Sequence, residues 1–198
     1  MLYFLAEHFT KIEFLKSIYL RAFLGFVISF CIVLFAGKPF IKYLKVKKFG
    51  EEIRDDGPSS HFSKKGTPTM GGVLIIAAVL LTSIFINDLT NTLILLVLLS
   101  MIMFAAIGFI DDYRKFTVSK KGLAGKKKLL FQAIIGLMVW AYLYFIGFTG
   151  RPMVDLALIN PISSYPYYIG AIGMFVLIQV VLMGTSNAVN ITDGLDGL

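Results

Sequence analysis

The chain has 198 residues, 57% of them hydrophobic and 16% charged, with a formal net charge of +7 at pH 7. A soluble domain carries about a quarter charged residues, so this composition excludes an ordinary water-soluble fold and points to an integral membrane protein. The positive balance does not call for a nucleic-acid partner, because anionic membrane lipid and phosphate-bearing substrates account for it more simply.

Residues 1–17 contain Glu7, Lys11, Glu13 and Lys16 and no small-residue cleavage site, so they read as a short interfacial segment and not as a signal peptide. Five apolar runs follow, at about 18–36, 70–86, 93–110, 129–148 and 167–186, the first interrupted only by Arg21. Each reaches the roughly 17 to 25 residues that a spanning helix needs. The expected fold is therefore all-α, with five transmembrane helices in one membrane domain, residues 1–198. Cys31, the single cysteine, falls in the first run, so no intramolecular disulfide can form. Segment 149–166, with Gly150, Pro152, Pro161 and Pro166 around VDLALI, reads as a short strand or turn region.

The cations are unevenly placed. Residues 37–66 hold eight Lys or Arg and residues 111–128 hold seven, whereas the connections near Asn87 and at 149–166 hold only Arg151. The positive-inside rule makes the two basic loops cytoplasmic, which puts the N-terminus outside and the C-terminus inside. Three polar clusters then share the cytoplasmic face: SKKGTPTMGG before the second span, DDYRKF after the third, and NAVNITDGLDGL after the fifth.

Each cluster has a chemical reading and a plain one. Asp111 and Asp112 end the third run, where the helix dipole opposes a carboxylate by about 0.3–1 kcal/mol. Either they face water beside Arg114 and Lys115, or they hold a divalent cation or act as a positioned base. In SKKGLAGKKKLLFQ (119–132), Lys120, Lys121 and Lys127 read as positive-inside anchors, while Lys115, Lys126 and Lys128 are better placed to meet phosphate. Gly66, Pro68, Gly71 and Gly72 permit tight turns and close backbone approach, and Thr67 or Thr69 can cap the helix that follows. Lys64 stands beside this stretch. Asn187, Asn190, Asp193 and Asp196 fall three residues apart, so a helix would carry them as a polar stripe, with Gly194 and Gly197 expected to unwind its end. Carboxylates, lysines and glycine-rich helix starts on one face are what a phosphoryl-transfer site needs.

KKGTPTMGG (64–72), DDYRK (111–115), GLAGKKK (122–128) and NAVNITDGLDGL (187–198) closely resemble, in this order, the bacterial phospho-N-acetylmuramoyl-pentapeptide transferases of the polyprenyl-phosphate N-acetylhexosamine-1-phosphate transferase superfamily. TPTMGG points to this family specifically; the Asp pair and the NxxNxxDGxDG pattern are shared more broadly. The resemblance runs from about residue 20 to the end. It implies transfer of phospho-N-acetylmuramoyl-pentapeptide from UDP to undecaprenyl phosphate, giving lipid I and UMP, with Mg²⁺ as cofactor. The enzyme would be a homodimer in the bacterial cytoplasmic membrane with its site on the cytoplasmic side. By motif, Asp111 and Asp112 would be catalytic carboxylates and candidate metal ligands. Asn187, Asn190 and Asp193 would line the nucleotide-sugar site with Thr69. Gly194, Leu195 and Asp196 would hold uracil with Lys64, and Lys115, Lys126 or Lys128 would meet phosphates. The family fold is a ten-helix bundle whose second half supplies a further Asp and a histidine-rich motif. His8 and His61 lie in no such motif, so the expectation is a fragment that is inactive alone.

Two chemical points rank the roles. A phosphate monoester with a second pKa near 6 is already mostly dianionic at pH 7, so a base adds little. Bringing that dianion to a pyrophosphate costs more, and cations offset it. Among rivals, a related transferase for another UDP-sugar would lack TPTMGG. A transporter would place ionisable groups near the bilayer midplane, whereas the spans beyond Arg21 contain only Gln132 and Gln179 as large polar side chains. A scaffold would leave the terminal Asn and Asp residues without a purpose.

Overall fold

The structure is a computed structural model that describes residues 17–47, 70–117, 122–146, 153–154 and 167–196, with the side chains of 116, 153–154, 167–168 and 190–196 outside that description. The chain divides into two compact units, residues 1–123 and 124–198.

In the first unit, helix α1 (Ile18–Val46) packs along α2 (Gly72–Ile86), and α2 packs more lightly on α3 (Thr92–Thr117). Helix α1 has 29 residues and so runs about 43 Å, well beyond a hydrocarbon core of about 30 Å. The apolar run ends at Ala36, but the helix continues through Gly37 and Pro39. Proline removes one backbone donor but its fixed φ is itself helical, and the buried Leu44 anchors the extension. Lys45 in the last turn complements the negative end of the helix.

Helix α2 is shorter than the run that announces it. Met70 has a left-handed φ of 69°, and the helix begins only at Gly72. Its 15 residues reach about 22 Å, so the expectation of a full span at 70–86 gives way to a short apolar helix. The other four helices are long and apolar enough to cross a membrane. Gly25 of α1 faces α2, where an added Cβ would lie 3.7 Å from Ile86 Cδ1, so the helices meet over a small residue, as membrane helices do.

The α2–α3 turn is held by its own side chains. Asp88 Oδ1 accepts hydrogen bonds from the Thr90 hydroxyl at 2.6 Å and the Thr90 backbone N–H at 2.9 Å. The hydroxyl first, and then the N–H, hold the Asp88 carboxyl below its usual pKa. Asn91 Oδ1 accepts from the Leu93 N–H at 2.9 Å and caps α3.

The second unit is an antiparallel pair, α4 (Gly125–Phe145) and α5 (Gly170–Asp196). Between them in sequence lies a minimal antiparallel ladder, β1 (Met153–Val154) with β2 (Tyr167–Tyr168), pairing Met153 with Tyr168 and Val154 with Tyr167. This pair is the only departure from an all-helical fold among the described residues, and it takes the first two residues of the predicted fifth span.

Trp140 Nε1 donates to the Ala171 carbonyl at 2.9 Å, and its ring meets Phe175 edge-on at 5.6 Å. About two turns away, Gln179 Nε2 donates to the Ala133 carbonyl at 3.1 Å. Its amide lies across Gly136, where a Cβ would stand 2.5 Å from Gln179 Oε1. Most large apolar side chains, including Phe23, Phe30, Phe35, Leu130 and Val180, remain exposed. That surface suits hydrocarbon, not water.

Gly136→Ala is therefore expected to destabilise the α4–α5 pair by about 1–3 kcal/mol, read as a lower thermal midpoint in detergent. Adding Gln179→Ala should recover much of the loss, and Gly184→Ala, which meets nothing within 4 Å, should be close to neutral.

Candidate functional site

Although the apolar run of the third span ends at Ile110, α3 continues to Thr117. Asp111 and Asp112 thus stand more than a turn inside the helix, and Arg114 and Lys115 occupy its last turn. The dipole penalty expected for a carboxylate at the helix end fades within that turn, and the basic residues now sit where the dipole favours them.

Lys115 binds both acids, with Nζ 2.9 Å from Asp112 Oδ1 and 3.4 Å from Asp111 Oδ2. Spacings of three and four residues put these side chains on one helix face, where an exposed pair contributes about 0.2–0.5 kcal/mol; of the two, the Asp112 pair is the more open. The two carboxylates differ in their surroundings. Asp111 is buried, and its Oδ1 accepts the Leu123 backbone N–H at 2.6 Å. Asp112 is more open, with a third of its side chain exposed.

Gly122 makes the Asp111 contact possible. Its φ is 67°, and a Cβ there would stand 2.5 Å from Asp111 Oδ1. Only glycine satisfies both the left-handed backbone and the close approach. This turn was not foreseen from the sequence; the glycine of GLAGKKK was its one visible signal.

Helix α4 begins at Gly125, four residues before its apolar run. Lys126, Lys127 and Lys128 therefore lie in its first turn, where the Ala124 carbonyl accepts the backbone N–H groups of Lys127 at 2.8 Å and Lys128 at 3.1 Å. No acidic residue shares that turn. Cations at the positive end of a helix are mismatched by about 0.3–1 kcal/mol each, a cost that a bound anion would relieve.

Helix α5 carries the terminal polar residues within it. Asn187, Asn190, Asp193, Gly194, Leu195 and Asp196 are all helical, so the unwinding expected at Gly194 does not occur before Asp196. A single helical glycine costs only about 1 kcal/mol. The geometry also changes the stripe: at about 100° per residue, nine residues turn through roughly 180°. The four positions wind half-way around α5 and do not keep to one side.

Asn187 is the member whose side chain is described. Its Nδ2 donates to the Met183 carbonyl at 2.8 Å and to Gln132 Oε1 at 2.7 Å. Gln132, wholly buried on α4, donates its own Nε2 to Ser186 Oγ at 3.1 Å. A backbone carbonyl can only accept, so Met183 fixes which end of the Asn187 amide points inward, and that in turn fixes Gln132. Both Asn187 N–H groups are spent, and its oxygen is the end left for a ligand. The Gln132–Ser186–Asn187 arrangement was missed; two large amides facing each other from apolar runs were the signal.

The structure thus brings together Asp111, Asp112 and Lys115 in one unit, and Asn187 with Gln132 in the other. Lys64 and Thr69 lie outside the described residues, as do the side chains of Asn190, Asp193, Leu195 and Asp196. Among the described residues no three His, Cys, Asp or Glu side chains gather to hold a metal. The adjacent Asp111 and Asp112 carboxylates do fit Mg²⁺, a hard cation commonly bound by one or two carboxylates together with substrate phosphates and water.

Asp111→Ala should lower the thermal midpoint by releasing the 122–123 turn, a loss of about 1–3 kcal/mol. Asp111→Asn keeps an oxygen for the Leu123 N–H and should retain most of that stability, so equal losses in the two variants would contradict this role.

Residues 93–198 match the family model described as glycosyl transferase family 4, and residues 64–76 match signature 1 of phospho-N-acetylmuramoyl-pentapeptide transferases. Over all 198 residues the chain is 91% identical to the phospho-N-acetylmuramoyl-pentapeptide-transferase of Fusobacterium nucleatum subsp. nucleatum, of which it spans 55%. The chain therefore covers about half the length of this curated relative, and it belongs to glycosyl transferase family 4.

Proposed function

We propose that the full-length protein transfers phospho-N-acetylmuramoyl-pentapeptide from its UDP-linked form to undecaprenyl phosphate, releasing UMP and lipid I. The observation that carries the reading is the carboxylate pair bridged by Lys115, in a chain that also bears the transferase signature at 64–76. That signature favours this acceptor and sugar over a related transferase for another UDP-sugar.

In the reaction, an oxygen of the lipid phosphate attacks the sugar-bearing phosphorus of the pyrophosphate. The bond to the bridging oxygen breaks and UMP leaves with that oxygen. Three tasks fall to the protein: countering charge, holding the phosphates in line, and positioning the nucleotide. Lys115 already offsets half the charge of the two acids, and it can turn toward phosphate when one arrives. Lys126 and Lys128, mismatched in the first turn of α4, gain from the same anion. Mg²⁺, when bound, supplies positive charge to the pyrophosphate oxygens, and Asp111 and Asp112 are the residues proposed to hold it. Asp112 is the more accessible of the two and the better candidate to meet substrate, while Asp111 also holds the 122–123 turn.

Asn187 can offer only its oxygen, so it would meet a hydroxyl or N–H of the nucleotide-sugar and not a phosphate. Lys64, Thr69, Asn190, Asp193, Gly194, Leu195 and Asp196 complete the proposed nucleotide-sugar site. The charge asymmetry supports a cytoplasmic location for this chemistry in a bacterial inner membrane, in a homodimer of ten-helix subunits. Residues 1–198 alone are proposed to be inactive.

The test is UMP release by the full-length protein supplied with UDP-MurNAc-pentapeptide, undecaprenyl phosphate and Mg²⁺. Asp112→Asn is expected to lower turnover about 10²-fold or more with the thermal midpoint unchanged. Undiminished release from Asp112→Asn would refute its role, and no release from the folded wild type would refute the reaction.

A further inference from the structure

Gln132 is a long amide, wholly buried, on a helix apolar enough to cross a membrane. A buried amide is costly unless its ends are bonded, and an apolar side chain of the same shape in its place, with apolar partners, can be nearly neutral. Packing alone therefore does not account for a glutamine here.

Its hydrogen bonds run in one direction. The Met183 carbonyl can only accept, so it takes one N–H of Asn187, at 2.8 Å. The other Asn187 N–H goes to Gln132 Oε1 at 2.7 Å, and Gln132 Nε2 donates onward to Ser186 Oγ at 3.1 Å. Met183 stands four residues before Asn187 on the same helix, so that bond is local. The contact from Gln132 is the one that comes from another helix. Held by Met183 alone, the Asn187 amide would present both a donor and an acceptor. With Gln132 in place it presents an acceptor alone, and two anchors fix its direction.

The surroundings of Gln132 suit such a role. Lys128 precedes it by four residues, so the two share one face of α4 a single turn apart. Lys128 is half-buried, whereas Lys126 and Lys127 are exposed. The α4 face that meets Asn187 is thus also the face of the most enclosed of the three lysines.

We propose that Gln132 is a positioning residue for the nucleotide-sugar. It aims the Asn187 oxygen at a hydroxyl or N–H of that substrate, beside the phosphate that Lys128 meets. The role rests on the transferase reading above, in which Asn187 lines the nucleotide-sugar site.

UMP release by the full-length protein with Mg²⁺, each substrate varied in turn, tests this in Gln132→Met, Asn187→Ala, their double variant and Trp140→Phe. Methionine keeps the length of glutamine and removes its polar end. Gln132→Met should raise KM for UDP-MurNAc-pentapeptide about tenfold, the ratio that corresponds to 1.4 kcal/mol. Its kcat and its KM for undecaprenyl phosphate should not change, the pattern of lost ground-state binding. Because Gln132 acts through Asn187, the double variant should be no worse than Asn187→Ala. Trp140→Phe, which removes the Trp140–Ala171 hydrogen bond of the same helix pair, should lower the thermal midpoint and leave that KM alone. Gln132→Glu keeps an acceptor for the Asn187 amide, so it should restore the KM, and its result decides the matter if the methionine variant does not fold. An unchanged nucleotide-sugar KM in Gln132→Met, multiplied effects in the double variant, or an equal rise in Trp140→Phe overturns the positioning role and leaves the transferase standing. No release from the folded wild type removes the transferase reading and this role with it.

Discussion

Inside a bilayer no water completes a hydrogen bond, so each polar group within a span must be satisfied by the protein or by a ligand. The Gln132–Ser186–Asn187 contacts of the α4–α5 pair answer that constraint, although Gln179 Oε1 is buried in the same interface without a hydrogen-bond partner among the described residues. Gln132 is fully buried, yet both ends of its amide are bonded, to Asn187 and to Ser186. Turning α5 by one residue's worth of rotation would strand both side chains in hydrocarbon. The amide contacts, the Gly136–Gln179 approach and the Trp140–Ala171 hydrogen bond together specify the rotation and register of α5.

A similar economy governs the first unit. Asp111 is buried next to an apolar run and would be costly there alone. One oxygen is taken by the Leu123 N–H and the other is met by Lys115. The acid thereby ties a glycine turn to the end of α3, and its neighbour Asp112 is left more open. Asp111 has a structural duty here, and on the proposed function the pair has a chemical one as well, so removing the charge and removing the oxygen should have separable consequences.

Much of the fold was legible in the sequence, because hydrocarbon imposes a strong hydropathy signal. All five helices among the described residues were located by their apolar runs. Their ends were not, since hydropathy marks the part of a helix suited to lipid and not the extent of its hydrogen bonding. Helix α1 outruns Ala36, α3 outruns Ile110, α4 begins before Leu129, and α5 continues past residue 186. In each case the added residues include polar or basic ones and lie beyond the apolar stretch. Helix α2 errs in the other direction because a left-handed Met70 delays its start. Within the candidate site, the Asp pair and Lys115 could be read from spacing alone. The Asp111–Leu123 and Gln132–Asn187 contacts, separated by 12 and 55 residues, depend on tertiary packing that no local pattern encodes.

We propose that the polar end of α3, with its two acids, opens to the cytoplasm while the 87–91 turn opens to the other side. Cysteine labelling of the full-length protein in intact cells tests it directly, once Cys31, the single cysteine of these 198 residues, and any cysteine in the rest of the protein are replaced. In a Cys31→Ser protein, a membrane-impermeant maleimide should label Leu89→Cys from outside and reach Thr117→Cys only after the cells are permeabilised. Labelling of Thr117→Cys in intact cells, with Leu89→Cys protected, would contradict the topology and the cytoplasmic site built on it.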